Sequence, residues 1–206
     1  MNSNSSLIHN ILSEAIIKND FASFIVSGGS SPISIFQDLN NSDLDWSKVK
    51  VSLVDDRFVD KSHDDSNEKL LYDHLLINNA VIANFVSLKS NFEDVLKINK
   101  PFDLMLLGMG EDAHFASLFP SMIQTNSEYF DSASDDKIIQ TEPMGDPLHP
   151  RITMNLSMIL NSRRIILLVS NEKKYDLVIQ AKINKKLPLY YLLNQNKVEI
   201  EIIKTY

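Results

Sequence analysis

The stretches Ile165-Ile166-Leu167-Leu168-Val169 and Leu104-Met105-Leu106-Leu107 have no polar position at all. Successive side chains on a strand point to opposite faces of its sheet, so a strand that is apolar throughout must be covered on both. Runs this short fit buried strands better than buried helices. The first is followed by an amphipathic helical pattern, as are residues 49–54, while residues 21–26 run through a glycine turn into another. Strands that alternate with helices and need cover on both faces specify a mostly parallel sheet in an α/β fold.

The remaining elements fall between these strands. Ser5 or Ser6 is a candidate cap for a helix over residues 7–18, with Leu7, Ile8, Ile11, Leu12 and Ala15 on one face. Gly28 and Gly29 break the strand at 21–26, and Pro32 suits the first turn of a helix running to Leu39. A strand is expected at 49–54, a helix at 66–76 capped by Ser66, a strand at 85–88, a helix at 92–98 and a strand at 102–107. Residues 124–150 are weakly patterned, with one candidate strand at 137–141. Helices at 155–160 and 172–183 flank a strand at 164–169, and Pro188 opens a last helix before a strand at 198–203. There is no repeat, low-complexity tract or linker, so residues 1–206 are expected to form one α/β domain.

A net charge of −7 with no basic stripe argues against a nucleic-acid surface. The absence of cysteine excludes disulfides, thiolate metal sites and thiol nucleophiles. No apolar run approaches membrane-spanning length, and the first residues lack the basic-then-apolar pattern of a secretory leader, so a cytoplasmic location is the expectation.

The richest segment is Phe102-Asp103-Leu104-Met105-Leu106-Leu107-Gly108-Met109-Gly110-Glu111-Asp112-Ala113-His114. Ligands of open α/β sheets sit at the carboxyl ends of strands, where Asp112 and His114 fall. At a spacing of two, both side chains leave an extended segment on the same side, so the carboxylate can hold one imidazole nitrogen while the other acts as a general base. The competing reading is a polar loop with a capping aspartate. Ser27-Gly28-Gly29-Ser30-Ser31-Pro32 is either an anion cradle at a helix start or a plain glycine turn, and it is not a nucleotide fingerprint. In Asp55-Asp56-Arg57 the guanidinium either pairs a ligand anion or forms an ion pair with its neighbours. Arg151 ends a loop, and Lys173 and Lys174 sit in the first turn of a helix, where basic residues oppose the dipole. For Lys174, solvation is the expected reason. His9, His63, His74, His114 and His149 form no i, i+4 pair and no H-E-x-x-H, so no metal is expected, and His63 is assigned no role.

Taken in order, segments 27–32, 55–57, 65–67, 102–120, 150–153 and Lys173 resemble the 6-phosphogluconolactonase family of the glucosamine-6-phosphate-deaminase-like superfamily. The resemblance implies a Rossmann-like three-layer αβα fold with a mostly parallel sheet (the NagB/RpiA/CoA-transferase-like class), no required cofactor, and a phosphorylated sugar lactone as substrate. It implies that His114 activates water and Asp112 orients it. Gly28, Gly29, Ser30, Ser31, Arg57, Arg151 and Lys173 would hold the phosphate and other ligand oxygens, supported by Asp55, Asn67 and Gly110. The superfamily's deaminases carry Asn-Glu-Pro after the active histidine; Ala116-Ser117-Leu118-Phe119-Pro120 stands here instead, which favours the lactonase over a deaminase, an isomerase or a non-catalytic sugar-phosphate binder. Three positions depart from the family pattern: Ala113 for glycine, Phe115 for threonine and Ser170 for glycine. If position 113 needs positive φ, alanine there adds strain of about 1 kcal/mol or more. Oligomeric state, monomer or homodimer, is left open.

Overall fold

A computed structural model describes residues 1–206. The chain opens with helix α1 (Ser3–Asn19), capped by Asn2, whose Oδ1 accepts the Ser5 amide at 2.9 Å. The cap therefore lies upstream of the expected Ser5 or Ser6. Ser5 is drawn inside instead, with its hydroxyl donating to Asp38 at 2.8 Å. Strand β1 (Ala22–Val26) leads through the glycine turn to α2 (Ile33–Leu39), directly after Pro32. Next come β2 (Val49–Leu53), β3 (Asp55–Arg57), α3 (Asn67–His74), β4 (Asn84–Val86), α4 (Phe92–Leu96) and β5 (Leu104–Leu107). The weakly patterned region and its borders hold α5 (Met122–Thr125) and a hairpin of β6 (Ile138–Met144) and β7 (His149–Met154). Then follow α6 (Leu156–Leu160), β8 (Ile165–Val169), α7 (Glu172–Ala181), α8 (Pro188–Leu193) and β9 (Ile200–Lys204).

Six strands form one sheet in the order β4-β2-β1-β5-β8-β9, every neighbouring pair parallel. Numbered within the sheet, that is the doubly wound order 3-2-1-4-5-6. All residues of β1, β5 and β8 are buried, which requires helices over both faces, as their uninterrupted apolar character demanded. Trp46, Phe24, Phe36, Phe102 and Phe115 are the largest fully buried side chains. Burying one such side chain stabilises by roughly 1.5–3 kcal/mol.

The second sheet is a departure. Asp55–Arg57 is not the polar end of β2. The chain leaves the parallel sheet at Val54, and β3 pairs antiparallel with β7 in a three-stranded sheet ordered β3-β7-β6. This sheet stands beside the carboxyl edge of the first and carries residues from two distant segments to it. No helix is long and apolar enough to cross a membrane.

Candidate active site

In the order 3-2-1-4-5-6 the connections from β1 and β5 leave in opposite directions, opening a crevice between their carboxyl ends. Residues 27–31 follow β1 and residues 108–114 follow β5, so the two loops singled out in the sequence face each other there. They border a cleft of about 650 Å³, counting the solvent at its mouth. Met109 and Ala116 are the only apolar residues lining it. A cleft this polar suits a charged, hydroxyl-rich ligand.

The first loop is shaped by glycine. A Cβ on Gly28 would lie 2.0 Å from Asn67 Oδ1, so only glycine lets Asn67 pack here, and Gly29 sits at φ 82°. Asn67 then binds Arg57 Nη1 through Oδ1 at 2.9 Å and donates Nδ2 to the Asp55 carbonyl at 3.0 Å.

On the second loop, His114 Nδ1 lies 2.5 Å from Asp112 Oδ1, and the same oxygen accepts the His114 amide at 3.1 Å. Burial pushes the Asp112 carboxyl up, but the hydrogen bonds and charge of His114 together outweigh it and hold the group below its ordinary value. An ionised Asp112 accepts the hydrogen bond of Nδ1–H and leaves the free lone pair of the ring on Nε2. The imidazole lies on Phe119, with ring centroids 4.5 Å apart. Gly110 leaves room for it: a Cβ would stand 2.1 Å from His114 Cε1.

Ala113, between the acid and the base, adopts φ 63°, the left-handed conformation that its replacement of glycine called into question. The loop holds it there: the Ala113 amide donates to Gly110 O at 3.2 Å, and its carbonyl accepts the Leu189 amide of α8 at 3.2 Å. Ala116 shares the strain at φ 48°. Such conformations cost of order 1–3 kcal/mol each and persist only where the surroundings enforce them. Phe115 is fully buried and turns away from the cleft, so the hydroxyl lost there leaves the lining unchanged.

The small sheet sets the charge of the site. Arg57 and Arg151 are direct cross-strand partners, an arrangement that like charges oppose. Neither is neutralised by a carboxylate. Arg57 Nη1 donates to the carbonyl of Asp65 and to Asn67; Arg151 donates Nε to Met144 O and Nη2 to Pro147 O. Burial, and then the repulsion of Arg57, lowers the pKa of Arg151. Asp56, the neighbour that might have paired Arg57, is fully buried. It accepts the first amides of α3, from Asn67 at 2.6 Å and Glu68 at 3.2 Å, and pairs with Lys89 at 2.8 Å. Arg57 therefore forms no ion pair with Asp55 or Asp56, and its guanidinium stays on the cleft lining. Asp55 accepts the Ser117 hydroxyl at 2.6 Å, and burial pushes its carboxyl up.

Two buried polar atoms of the lining residues, Ser27 Oγ and Arg57 Nε, have no hydrogen-bond partner. Orphans are rare in folded proteins, and these two lie on one cleft.

The structure brings Gly28, Gly29, Ser30, Ser31, Asp55, Arg57, Asn67, Gly110, His114 and Arg151 to one lining, with Asp112 behind His114. Lys173 is not brought there. It is exposed on α7, and the half-buried Lys174 takes the place beside the cleft, reversing the expectation for the two lysines. One helical residue turns by about 100°, so adjacent lysines cannot share a face. Ser27, Phe119 and Lys174 are the residues that local spacing missed. The repulsion of Lys174 from the start of its helix was the available signal.

A family model described as glucosamine-6-phosphate isomerases/6-phosphogluconolactonase matches residues 1–200. A 6-phosphogluconolactonase of Helicobacter pylori is 36% identical over 200 residues, covering 91% of this chain and 86% of that one. The crystal structure of a 6-phosphogluconolactonase from Shewanella baltica superposes with a TM-score of 0.86 at 34% identity, covering 97% of this chain and 90% of that one. A monomeric glucosamine-6-phosphate deaminase shares the fold at a TM-score of 0.72 and 15% identity, covering 98% of this chain and 92% of its own. With the fold shared between two activities and the sequence similarity lying with one, the chain belongs to the glucosamine-6-phosphate isomerase/6-phosphogluconolactonase family.

Proposed function

We propose that the protein hydrolyses 6-phospho-D-glucono-1,5-lactone to 6-phospho-D-gluconate, the lactone-opening step of the oxidative pentose phosphate pathway. The observation that carries this reading is the Asp112–His114 pair at the edge of a cleft whose uncompensated cations are Arg57, Arg151 and Lys174. A phosphomonoester needs such cations, and a lactone, being an activated ester, needs no more than a base and water.

In this mechanism the phosphate binds the arginines, Lys174 and the 27–31 loop, which orients the ring. His114 Nε2 takes a proton from water as the oxygen attacks the lactone carbonyl. A placed base contributes typically about 10²–10⁴-fold, and Asp112 stabilises the imidazolium that forms. The tetrahedral oxyanion is met by amides near Gly108 or by Arg57. It collapses with loss of the ring oxygen, which takes the proton back from His114, and the new carboxylic acid ionises. Asp55, Asn67 and Gly110 act as supports. We also read residues 1–206 as one domain, at work in the cytoplasm.

Deamination of an amino sugar needs a second acid/base for ring opening. The one carboxylate on the lining, Asp55, is bound to Ser117, and residues 116–120 offer no glutamate. The test is a pair of assays on one preparation. The protein accelerates loss of the lactone well beyond its spontaneous rate and releases no ammonia from glucosamine 6-phosphate. The reverse pattern would reject the lactonase reading.

A further inference from the structure

Three side chains outside the cleft come together from segments that sequence spacing keeps apart. His63 and Asp65 lie in the loop after β3, and His149, 84 positions beyond Asp65, opens β7. His149 Nε2 is 2.8 Å from Asp65 Oδ2, and His63 Nδ1 is 3.7 Å from the same oxygen. The two imidazoles meet edge to face with centroids 5.5 Å apart. One ligand atom from each residue falls within 4.8 Å of the others.

We propose that His63, Asp65 and His149 bind one divalent transition-metal ion of the zinc type, clamping the loop after β3 to the start of β7. Two imidazoles, one carboxylate and an open fourth position form a zinc donor set, whereas calcium and magnesium require more oxygen ligands than this cluster offers. With metal–ligand bonds of about 2.0–2.2 Å, tetrahedral angles separate neighbouring donors by roughly 3.3–3.5 Å. The observed 2.8 and 3.7 Å bracket that value. The proton shared by His149 and Asp65 occupies the place a cation would take. All three side chains are partly open to solvent, so an ion can reach them.

Two features oppose binding. His63 Nδ1 accepts the Asp65 amide at 3.1 Å, a single neutral hydrogen bond that coordination there displaces. Arg57 approaches the Asp65 carbonyl, and of the other acids on the loop Asp64 already lies 3.7 Å from Lys69. The site touches no reacting group. Its position gives it a structural consequence, because the Asp65 carbonyl anchors Arg57 and the Phe58 amide already donates to Pro150 O at 2.8 Å, one residue before Arg151.

The test uses tag-free protein treated with EDTA and then dialysed. Titration with ZnCl₂ is expected to give one ion per chain, and a hundredfold excess over Kd raises Tm by about 5–10 °C. Co²⁺ in place of Zn²⁺ gives the visible bands of a four-coordinate site. Both signals disappear in His63→Asn and in His149→Gln and persist in His9→Asn, which removes a part-buried histidine paired with Asp43. Absence of saturable zinc uptake by the unsubstituted protein overturns the proposal whatever the variants do, and so does zinc binding that survives both substitutions.

Discussion

Gly110→Ala tests whether the His114 ring is held in place by the space beneath it. The added Cβ would stand 2.1 Å from His114 Cε1, 2.2 Å from Nδ1 and 2.8 Å from Asp112 Oδ1. Carbon atoms rest at about 3.5–4.0 Å, so the ring or the loop must yield by roughly 1.4 Å or more. Misplacing a reacting group by about 1 Å costs on the order of 10²-fold, and losing the base altogether costs about 10²–10⁴-fold. The expected fall in kcat lies between those limits, with KM little changed because no cation of the cleft has moved. Overpacking should also lower stability by about 1–3 kcal/mol, a drop in Tm of roughly 2–12 °C for a chain of this size. The assay follows lactone loss below the variant's Tm, with spontaneous hydrolysis subtracted. A variant with kcat within a few-fold of the parent would refute the packing argument and, with it, the placement of the ring.

Arg151→Ala should raise KM about 10–100-fold through loss of a charge-assisted bond worth about 1.5–3 kcal/mol, with a smaller effect on kcat. Unchanged KM and product inhibition would remove Arg151 from the phosphate site. Lys174→Ala should raise KM more than Lys173→Ala, and the opposite order would restore the sequence expectation. Asp55→Asn alters the pH profile of stability. Burial raises the folded pKa of Asp55, so the parent is favoured relative to the variant below the unfolded value of about 3.9, and that advantage is lost as pH rises through the folded pKa. Chemical denaturation of both proteins across acid to neutral pH should show this trend, and a difference independent of pH would contradict it.

The parallel sheet was legible because its chemistry is local. A run such as residues 165–169 declares burial on both faces without reference to any other segment. The Asp112–His114 pair was legible for the same reason, since its partners are two residues apart and remain together in the fold. The small sheet was not. β3 is three residues long, and its partner β7 lies almost a hundred positions away, a register no local pattern announces. Whether Arg57 pairs with its neighbouring carboxylates depended on that sheet and on Asp56 being claimed by α3 and Lys89. Lys173 lies off the lining and Lys174 on it because a resemblance assigns a position in sequence, whereas helix phase decides which neighbour meets the cleft. Ala113 illustrates the converse. One departure from a family pattern raised a specific question about φ, and the backbone answers it at 63°.

The central claim is that His114 is the base in a phosphate-anchored lactonase, and His114→Ala tests it most directly. Measured together, kcat for the lactone should fall by about 10²–10⁴-fold while 6-phosphogluconate binds with nearly the parent affinity, because Arg57, Arg151, Lys174 and the glycine loop are intact. Near-normal turnover by the variant would contradict the account.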